Sequence, residues 1–138
     1  MSSQGTSSGR AHAMERFLSN AIMNIDKKGR VSVPAPFRSV LQRTGEDTLY
    51  MVLSLEHPAV DAGGEAWLQA QEAALDRFDP MSDRYMEESA VLHGDGVFIK
   101  MDDTGRIVLT DAIRDHCGIT DSVAFMGRRH FFQIWEPS

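Results

Sequence analysis

The stretch Asp26-Lys27-Lys28-Gly29-Arg30-Val31-Ser32-Val33 decides the fold of this chain, because it returns later as Asp102-Asp103-Thr104-Gly105-Arg106-Ile107-Val108-Leu109. Both copies read Asp-x-x-Gly-Arg followed by apolar, any and apolar residues. The same offset places Phe37-Arg38 opposite Ile113-Arg114. The chain therefore contains two copies of one small module. We expect such copies to bury their cores against each other and to offer a partner two related surface turns.

Length and composition place the chain among small globular proteins. Its 138 residues, 42% apolar and 25% charged, fit one compact unit that buries about two-thirds of its unfolded surface. No apolar run approaches the ~20 residues that span a bilayer, and no secretory signal is recognisable. We expect a cytoplasmic protein with no membrane partner. Cys117 is the only cysteine, which excludes an intrachain disulfide, and we expect it to be a buried core residue.

The net charge of -6 is distributed unevenly along the chain. Residues 61–93 carry eight acidic and two basic side chains, which accounts for the whole excess. Residues 23–43 carry five basic side chains and one acidic side chain. Local charge decides where a polyanion docks. The first copy of the repeat is therefore the better candidate for a nucleic-acid contact.

The two halves share one predicted order of elements, and residues 1–13, rich in Ser and Gly, are interpreted as a flexible N-terminal lead or an expression remnant. In the first half we predict strands over 21–25, 30–33 and 49–55 and a helix over 34–43. In the second half we predict strands over 97–101, 106–109, 123–126 and 131–135 and a helix over 111–117. Thr110 is expected to cap that helix and Gly118 to end it.

A helical insert separates the two halves. Residues 65–78 and 83–93 show helical spacing of apolar side chains with acids on the other side, and Ser82 is a plausible cap. We expect these helices to cover the sheet. The predicted domains are a first module over 14–62, the insert over 63–93 and a second module over 94–138. The pattern indicates a mixed α+β fold built from two hairpin and helix repeats.

The repeated motif has a structural explanation and a functional one. Asp at the first position and Gly at the fourth are what a type I turn prefers. A turn alone does not explain Lys27 and Lys28 at its exposed centre, or an arginine after each glycine. That arginine can turn back to the aspartate, or reach a phosphate or a guanine edge. Residue chemistry leaves a structural turn and a DNA-binding tip about equally supported.

The motifs, with their flanks, resemble a known family. Asp26 to Pro34 with Phe37-Arg38 is similar to the first signature of the MraZ family of bacterial transcriptional regulators. Asp102 to Arg106, with Arg114-Asp115-His116 and Gly118-Ile119-Thr120, is similar to its second signature. The end Phe132-Gln133-Ile134-Trp135-Glu136 also resembles that family. The resemblance runs from Met14 to about Pro137. A lone Asp-x-x-Gly-Arg is a weak signal, whereas two copies at this spacing are a strong one.

The resemblance implies a fold, a function and a set of site residues. The fold is a tandem of AbrB-like swapped-hairpin β-barrel halves that form a pseudo-two-fold unit. The function is a sequence-specific repressor or other regulator of the division and cell-wall gene cluster, including its own promoter. It implies a homo-oligomer, commonly a ring, that binds short direct repeats of double-stranded DNA at the nucleoid. The DNA-binding residues carried over are Asp26, Arg30, Asp102 and Arg106, and the turn lysines Lys27 and Lys28 join them through their charge.

Other classes of function find less support. The five histidines do not form metal-ligand spacings, Cys117 has no activating partner, and no constellation of acid, base and nucleophile is visible. We therefore expect no catalytic residue, metal, cofactor or small-molecule substrate, and no enzyme. The alternatives are an AbrB-like antitoxin or transition regulator, or an oligomeric interaction protein that does not bind DNA. Since Asp103 and Thr104 replace the lysines in the second turn, we expect the first turn to dominate binding.

Overall fold

The structure, a computed structural model, describes residues 16–138. The lead predicted over 1–13 and the first residues of the predicted first module lie outside this range. The first half contains β1 Asn20–Asn24, β2 Arg30–Ser32, α1 Ala35–Arg43, β3 Thr48–Leu53 and β4 Ala59–Gly63. The insert contains α2 Glu65–Leu75 and α3 Asp83–Ser89, which continues into a π-helical turn, Ala90–Gly94. The second half contains β5 Val97–Lys100, β6 Arg106–Val108, α4 Asp111–Cys117, β7 Ser122–Gly127 and β8 Phe132–Trp135.

The strands pair across the two halves. A six-stranded sheet has the order β1-β7-β8-β4-β3-β5, and β2 and β6 form a separate two-stranded ribbon. All of these pairs are antiparallel. The first strand of each half pairs with the third strand of the other, since β1 lies beside β7 and β5 beside β3. The mixed α+β prediction is therefore confirmed, and neither half is a separate sheet.

The predicted barrel is a point of correction, because the strand order is open. β1 and β5 are the two edges of the six-stranded sheet, and no pairing joins them. The ribbon strands do not close the gap because each has only three residues. Pro34, which has no backbone N–H to donate to a neighbouring strand, is the residue before α1 and follows β2 by two positions. The halves thus form an open sheet with a ribbon beside it.

One apolar core lies between the ribbon, the sheet and the helices α1 and α4. Val31 and Ile107, at the centre of the ribbon, are both fully buried in it. The ring of Phe37 lies 5.4 Å from that of Phe17 and 4.9 Å from that of Phe132. Cys117 is buried here as predicted, and burial raises the pKa of its thiol to about 11. The two repeats therefore share a core.

The insert covers part of the sheet, as predicted. Trp67 and Leu68 of α2 pack with Tyr50 and Val52 of β3, and Trp67 stacks on Phe131 at 5.4 Å between ring centres. The helices in the part of the chain that the structure describes are all too short or too polar to cross a membrane. The insert instead forms a second, smaller apolar cluster on the sheet.

The helix ends agree with the predicted capping residues, whereas one strand was not predicted from the sequence. The side chains of Ser82 and Thr110 accept hydrogen bonds from the N–H groups of Tyr85 and Ile113. Gly118 ends α4 with a positive φ of 69°. No strand was predicted between residues 55 and 97, and β4 was therefore missed. Its sequence, Ala59–Gly63, consists mostly of small residues, and its strand conformation depends on pairing with both β3 and β8.

Removal of the Phe37 side chain tests the shared core. Because the ring is buried and packs against three other phenylalanines, Phe37→Ala is expected to lower the free energy of unfolding by about 3–5 kcal/mol. The measurement is urea denaturation followed by circular dichroism. Leu55→Ala is the control, since Leu55 is exposed and the change should cost less than ~0.5 kcal/mol. A small effect of Phe37→Ala would mean that Phe37 does not anchor one common core.

Candidate nucleic-acid interface

The first copy of the motif forms a turn closed by the aspartate. The N–H of Gly29 donates to the carbonyl of Asp26 at 3.0 Å, and Gly29 has a φ of +78°. Oδ1 of Asp26 accepts from the N–H groups of Lys28 and Arg30, both at 2.9 Å. This is the pattern of a type I turn followed by a left-handed glycine. The turn joins β1 to β2 and leaves the side chains of Lys27 and Lys28 exposed.

The second copy forms the same turn between β5 and β6. The N–H of Gly105 donates to the carbonyl of Asp102 at 3.0 Å, and Gly105 has a φ of +80°. Oδ1 of Asp102 accepts from the N–H groups of Thr104 and Arg106 at 2.9 Å and from the Thr104 hydroxyl at 2.8 Å. Asp103 and Thr104 are the exposed residues at its centre. The two turns therefore have one backbone and different charges.

Each arginine after the glycine bonds to its own aspartate through one nitrogen. Nε of Arg30 donates to Oδ2 of Asp26 at 2.7 Å, and Nε of Arg106 donates to Oδ2 of Asp102 at 3.0 Å. Within residues 16–138, the terminal nitrogens Nη1 and Nη2 of both arginines have no hydrogen-bond partner. The carboxylate thus holds the plane of the guanidinium and leaves the four N–H groups of Nη1 and Nη2 on each arginine without a partner in this part of the chain.

The hydrogen bonds of the turns favour the charged carboxylates. The backbone N–H of Arg30, followed by its side chain, lowers the pKa of Asp26 below its ordinary value. The backbone N–H of Arg106, together with the side chain of Thr104, holds the pKa of Asp102 well below its usual range. Hydrogen bonds to the ionised form have this effect on any carboxylate. Both aspartates therefore stay charged to lower pH than an ordinary aspartate does.

The ribbon brings the two arginines onto one face. Arg30 pairs with Val108 and Ser32 with Arg106, with Val31 and Ile107 between them. Since side chains alternate along a strand and the central pair is buried, the other four point outward. Arg30 and Arg106 are diagonal neighbours on that face, which places their Cα atoms about 7–8 Å apart.

Two residues near the turns were not among the candidates from the sequence. Arg38 of α1 donates from Nη1 to the carbonyl of Thr104 at 3.3 Å, so a helix of the first half contacts the second turn. Nη1 of Arg114 in α4 lies 3.7 Å from the position of a Cβ on Gly29. Arg38 and Arg114 correspond under the repeat. The sequence shows this correspondence. It does not show that each arginine lies against the turn of the other half, because that depends on how the strands of the two halves pair.

The comparisons with known proteins identify the family. No family model matches the chain. It is 46% identical over 124 residues to the transcriptional regulator MraZ of Xanthobacter autotrophicus, which covers 90% of this chain and 79% of that protein. It is 47% identical over 124 residues to the transcriptional regulator MraZ of Rhizobium rhizogenes, with 90% and 85% covered. The chain belongs to the MraZ family. The resemblance drawn from the two motifs is thereby confirmed, and the relatives that bear the MraZ name are transcriptional regulators.

The residues predicted for the site lie on the ribbon and its two turns. Among those, the structure brings Asp26, Arg30, Asp102 and Arg106 to the two ends of one ribbon. Lys27 and Lys28 lie on the first turn alone. In the part of the chain that the structure describes, no three His, Cys, Asp or Glu side chains are grouped as a metal site requires. What the arrangement offers is two oriented guanidinium groups and a pair of lysines.

Acid titration tests the aspartate bonds. A carboxylate whose pKa is depressed by folding stabilises the protein above its unfolded pKa of about 3.9, and this contribution is lost as the pH falls through the folded pKa. Asp102→Asn is therefore expected to lower Tm at pH 7. The difference in Tm from the wild type should narrow as the pH falls below about 4. Thermal unfolding between pH 7 and pH 2 measures it, and a difference independent of pH would contradict a charged Asp102.

Two glycine substitutions test the turn geometry. Alanine at either positive φ is expected to lower the free energy of unfolding by about 1–2 kcal/mol. At Gly105 the new Cβ would also lie 2.3 Å from Cδ of Arg38, whereas at Gly29 the nearest atom is 3.7 Å away. Gly105→Ala should therefore cost about 1 kcal/mol more than Gly29→Ala. Urea denaturation compares them, and equal losses would show that Arg38 does not pack closely on the second turn.

Proposed function

We propose that this chain is a sequence-specific DNA-binding transcriptional regulator and that the outer face of the ribbon, with its two turns, is the DNA contact. The observation that carries this proposal is the pair of arginines on one exposed face, each held by a charged aspartate. These arginine side chains are only about one-third exposed, at 28% and 33%, and a pair of this kind near the surface adds little stability. The fixed plane of each guanidinium and its unpaired terminal N–H groups are instead suited to bidentate contact with a phosphate or a guanine.

The dimensions of the face agree with a groove of DNA. The major groove is about 12 Å wide and admits a two-stranded ribbon. Arg30 and Arg106, whose Cα atoms are about 7–8 Å apart, are the candidates for contact with base edges or nearby phosphates. Lys27 and Lys28 supply attraction to phosphates that does not depend on sequence. Asp26 and Asp102 act on DNA only through the arginines that they orient.

The two turns contribute unequally in this proposal. The first has two lysines at its centre, and the second has Asp103 and Thr104. An acidic side chain at a turn centre repels a phosphate, while a lysine attracts it. The first turn therefore supplies more of the affinity. We propose that the second turn contributes mainly through Arg106.

Association of several copies completes the mechanism that we propose. One protomer that contacts about four phosphates binds weakly, and several protomers on direct repeats gain affinity through effective concentration. A homo-oligomer, in the form of a ring, provides such an array. The edge strands β1 and β5 expose Ile22 (66%) and Phe98 (63%), which gives the sheet apolar surface for contact with further copies. The targets in this proposal are direct repeats upstream of the division and cell-wall gene cluster, including its own promoter, with repression at the nucleoid in the cytoplasm.

The architecture that we propose is a fused pair of AbrB-like swapped-hairpin modules, with boundaries at 14–62, 63–93 and 94–138. Strand exchange supports it, since β1 and β5 each pair with the opposite half. The ribbon register supports it too. Arg30 opposite Val108 and Ser32 opposite Arg106 are equivalent pairs under the repeat. Such a register is what a two-fold axis through the ribbon produces.

A binding assay on the repeats upstream of the gene for this chain tests the proposal. Arg30→Ala is expected to weaken binding by about 1–3 kcal/mol, and Arg106→Ala by less. The wild-type slope of log affinity against log salt should be about -3 to -4 per protomer. Lys27→Ala should make the slope less steep by about 1, with similar losses on specific and random DNA. Fluorescence anisotropy at several salt concentrations measures all of these.

Arg77→Ala is the matched control, because it removes one exposed positive charge from the insert. It should leave the affinity within about twofold of the wild type. Circular dichroism and size-exclusion chromatography check that each variant keeps its fold and assembly. Undiminished specific binding by both Arg30→Ala and Arg106→Ala would rule out the ribbon face as the DNA contact.

A further inference from the structure

Each of the helices α1 and α4 places an arginine against the turn of the opposite half. Arg38 lies four residues into α1, directly after the ribbon strand of the first turn, yet its side chain lies against the second turn. Arg114 occupies the same place in α4 and lies against the first turn. The ribbon register explains the crossing. Since β2 and β6 run antiparallel, the end of each strand lies beside the start of the other, where the opposite turn ends.

The contact of Arg38 with the second turn is close and specific. Nη1 of Arg38 donates to the carbonyl of Thr104 at 3.3 Å. Its Cδ and Nη1 would lie 2.3 and 2.8 Å from a Cβ on Gly105. Only a residue without Cβ leaves room for the guanidinium there. The absence of a side chain at Gly105 thus serves both the positive φ of the turn and the packing of Arg38.

Burial limits how far Arg38 can move. Its Nε is buried and has no hydrogen-bond partner within residues 16–138. A buried nitrogen without a partner costs free energy. The side chain keeps this position because α1 fixes one end and the second turn holds the other. Arg114 lies farther from the first turn, because its Nη1 is 3.7 Å from the position that a Cβ on Gly29 would occupy.

We propose that Arg38 is a positioning residue for the second DNA-contacting turn, and that Arg114 is its weaker counterpart for the first. Each turn is then supported by the helix of the opposite half. This inference rests on the proposed function, since it assigns Arg38 a role through Arg106 and the turn rather than through DNA. Removal of Arg38 frees the carbonyl of Thr104 and the space above Gly105, and the turn then samples conformations in which Arg106 does not face the groove.

A pair of double-mutant cycles on DNA affinity tests this assignment. Arg38→Ala is combined with Arg106→Ala in one cycle and with Arg30→Ala in the other. If Arg38 acts through the second turn, the loss in the first double variant is smaller than the product of the single losses, by at least about threefold. The losses in the second cycle multiply. A cycle with Arg106→Ala that is also multiplicative would overturn the assignment.

A measurement without DNA separates positioning from a direct contact. Amide NMR of Arg38→Ala is expected to show shifted resonances for Thr104, Gly105 and Arg106, with those of Lys28 and Gly29 unchanged. Arg43→Ala is the matched control, since Arg43 is an exposed arginine of the same helix, and it should shift none of them. Resonances of the second turn that stay in place in Arg38→Ala would overturn the proposal. Arg38→Met, which keeps an apolar stem over Gly105, takes its place in every arm if Arg38→Ala does not fold.

The outcomes also separate this inference from the proposed function. Unchanged DNA binding in Arg30→Ala and Arg106→Ala removes the ribbon as the DNA contact, whatever Arg38 does to the NMR spectrum. Reduced binding in those variants, together with a multiplicative Arg38 and Arg106 cycle, leaves the DNA contact intact and removes only the positioning role. Reduced binding in those variants, together with an Arg38 and Arg106 cycle that is not multiplicative, supports both the DNA contact and the positioning role.

Discussion

The three-residue ladder between β2 and β6 is the contact on which the rest of the molecule depends. It pairs the two copies of the motif through their backbones, with Val31 opposite Ile107 at its centre. Burial of that central pair sends Arg30 and Arg106 to the outer face. The same register places each turn beside the helix of the other half. A shift of one residue would reverse the faces, so that the arginines pointed into the core and the apolar pair into water.

The aspartate in each turn holds the arginine in place but adds little to stability. A pair of opposite charges near the surface adds at most about 1 kcal/mol. In the DNA contact that we propose, the benefit is one of conformation, because a guanidinium whose plane is already fixed loses less side-chain entropy when it meets a phosphate or a base. The lowered pKa of Asp102, which follows from the N–H of Arg106 and the side chain of Thr104, keeps its carboxylate ionised at acidic pH where an ordinary aspartate would be protonated.

The sequence predicted local structure well and the long-range pairing poorly. Each turn follows from Asp-x-x-Gly, and the ends of α4 follow from Thr110 and Gly118, because the forces that act there span a few residues. Composition did not reveal β4, since Ala59–Gly63 has little strand preference and depends on neighbours distant in the chain. The open strand order was missed for the same reason. Residue chemistry also did not decide whether each arginine bonds to its aspartate or to an outside partner. In the structure, Nε of each arginine bonds to the aspartate and the terminal nitrogens have no partner within residues 16–138.

Fusion of the two copies in one chain permits a difference that two identical subunits would not have. Two separate copies of one module would present the same turn twice, so that a lysine at a turn centre would occur on both sides. Here the backbone geometry is kept, with φ of +78° at Gly29 and +80° at Gly105, while the centres have diverged to Lys27-Lys28 and Asp103-Thr104. The arginines of the two helices have also diverged. Arg38 lies closer to the second turn, which is the less basic, than Arg114 does to the first. In the DNA contact that we propose, the first turn can then specialise in attraction to phosphates while the second retains an oriented arginine.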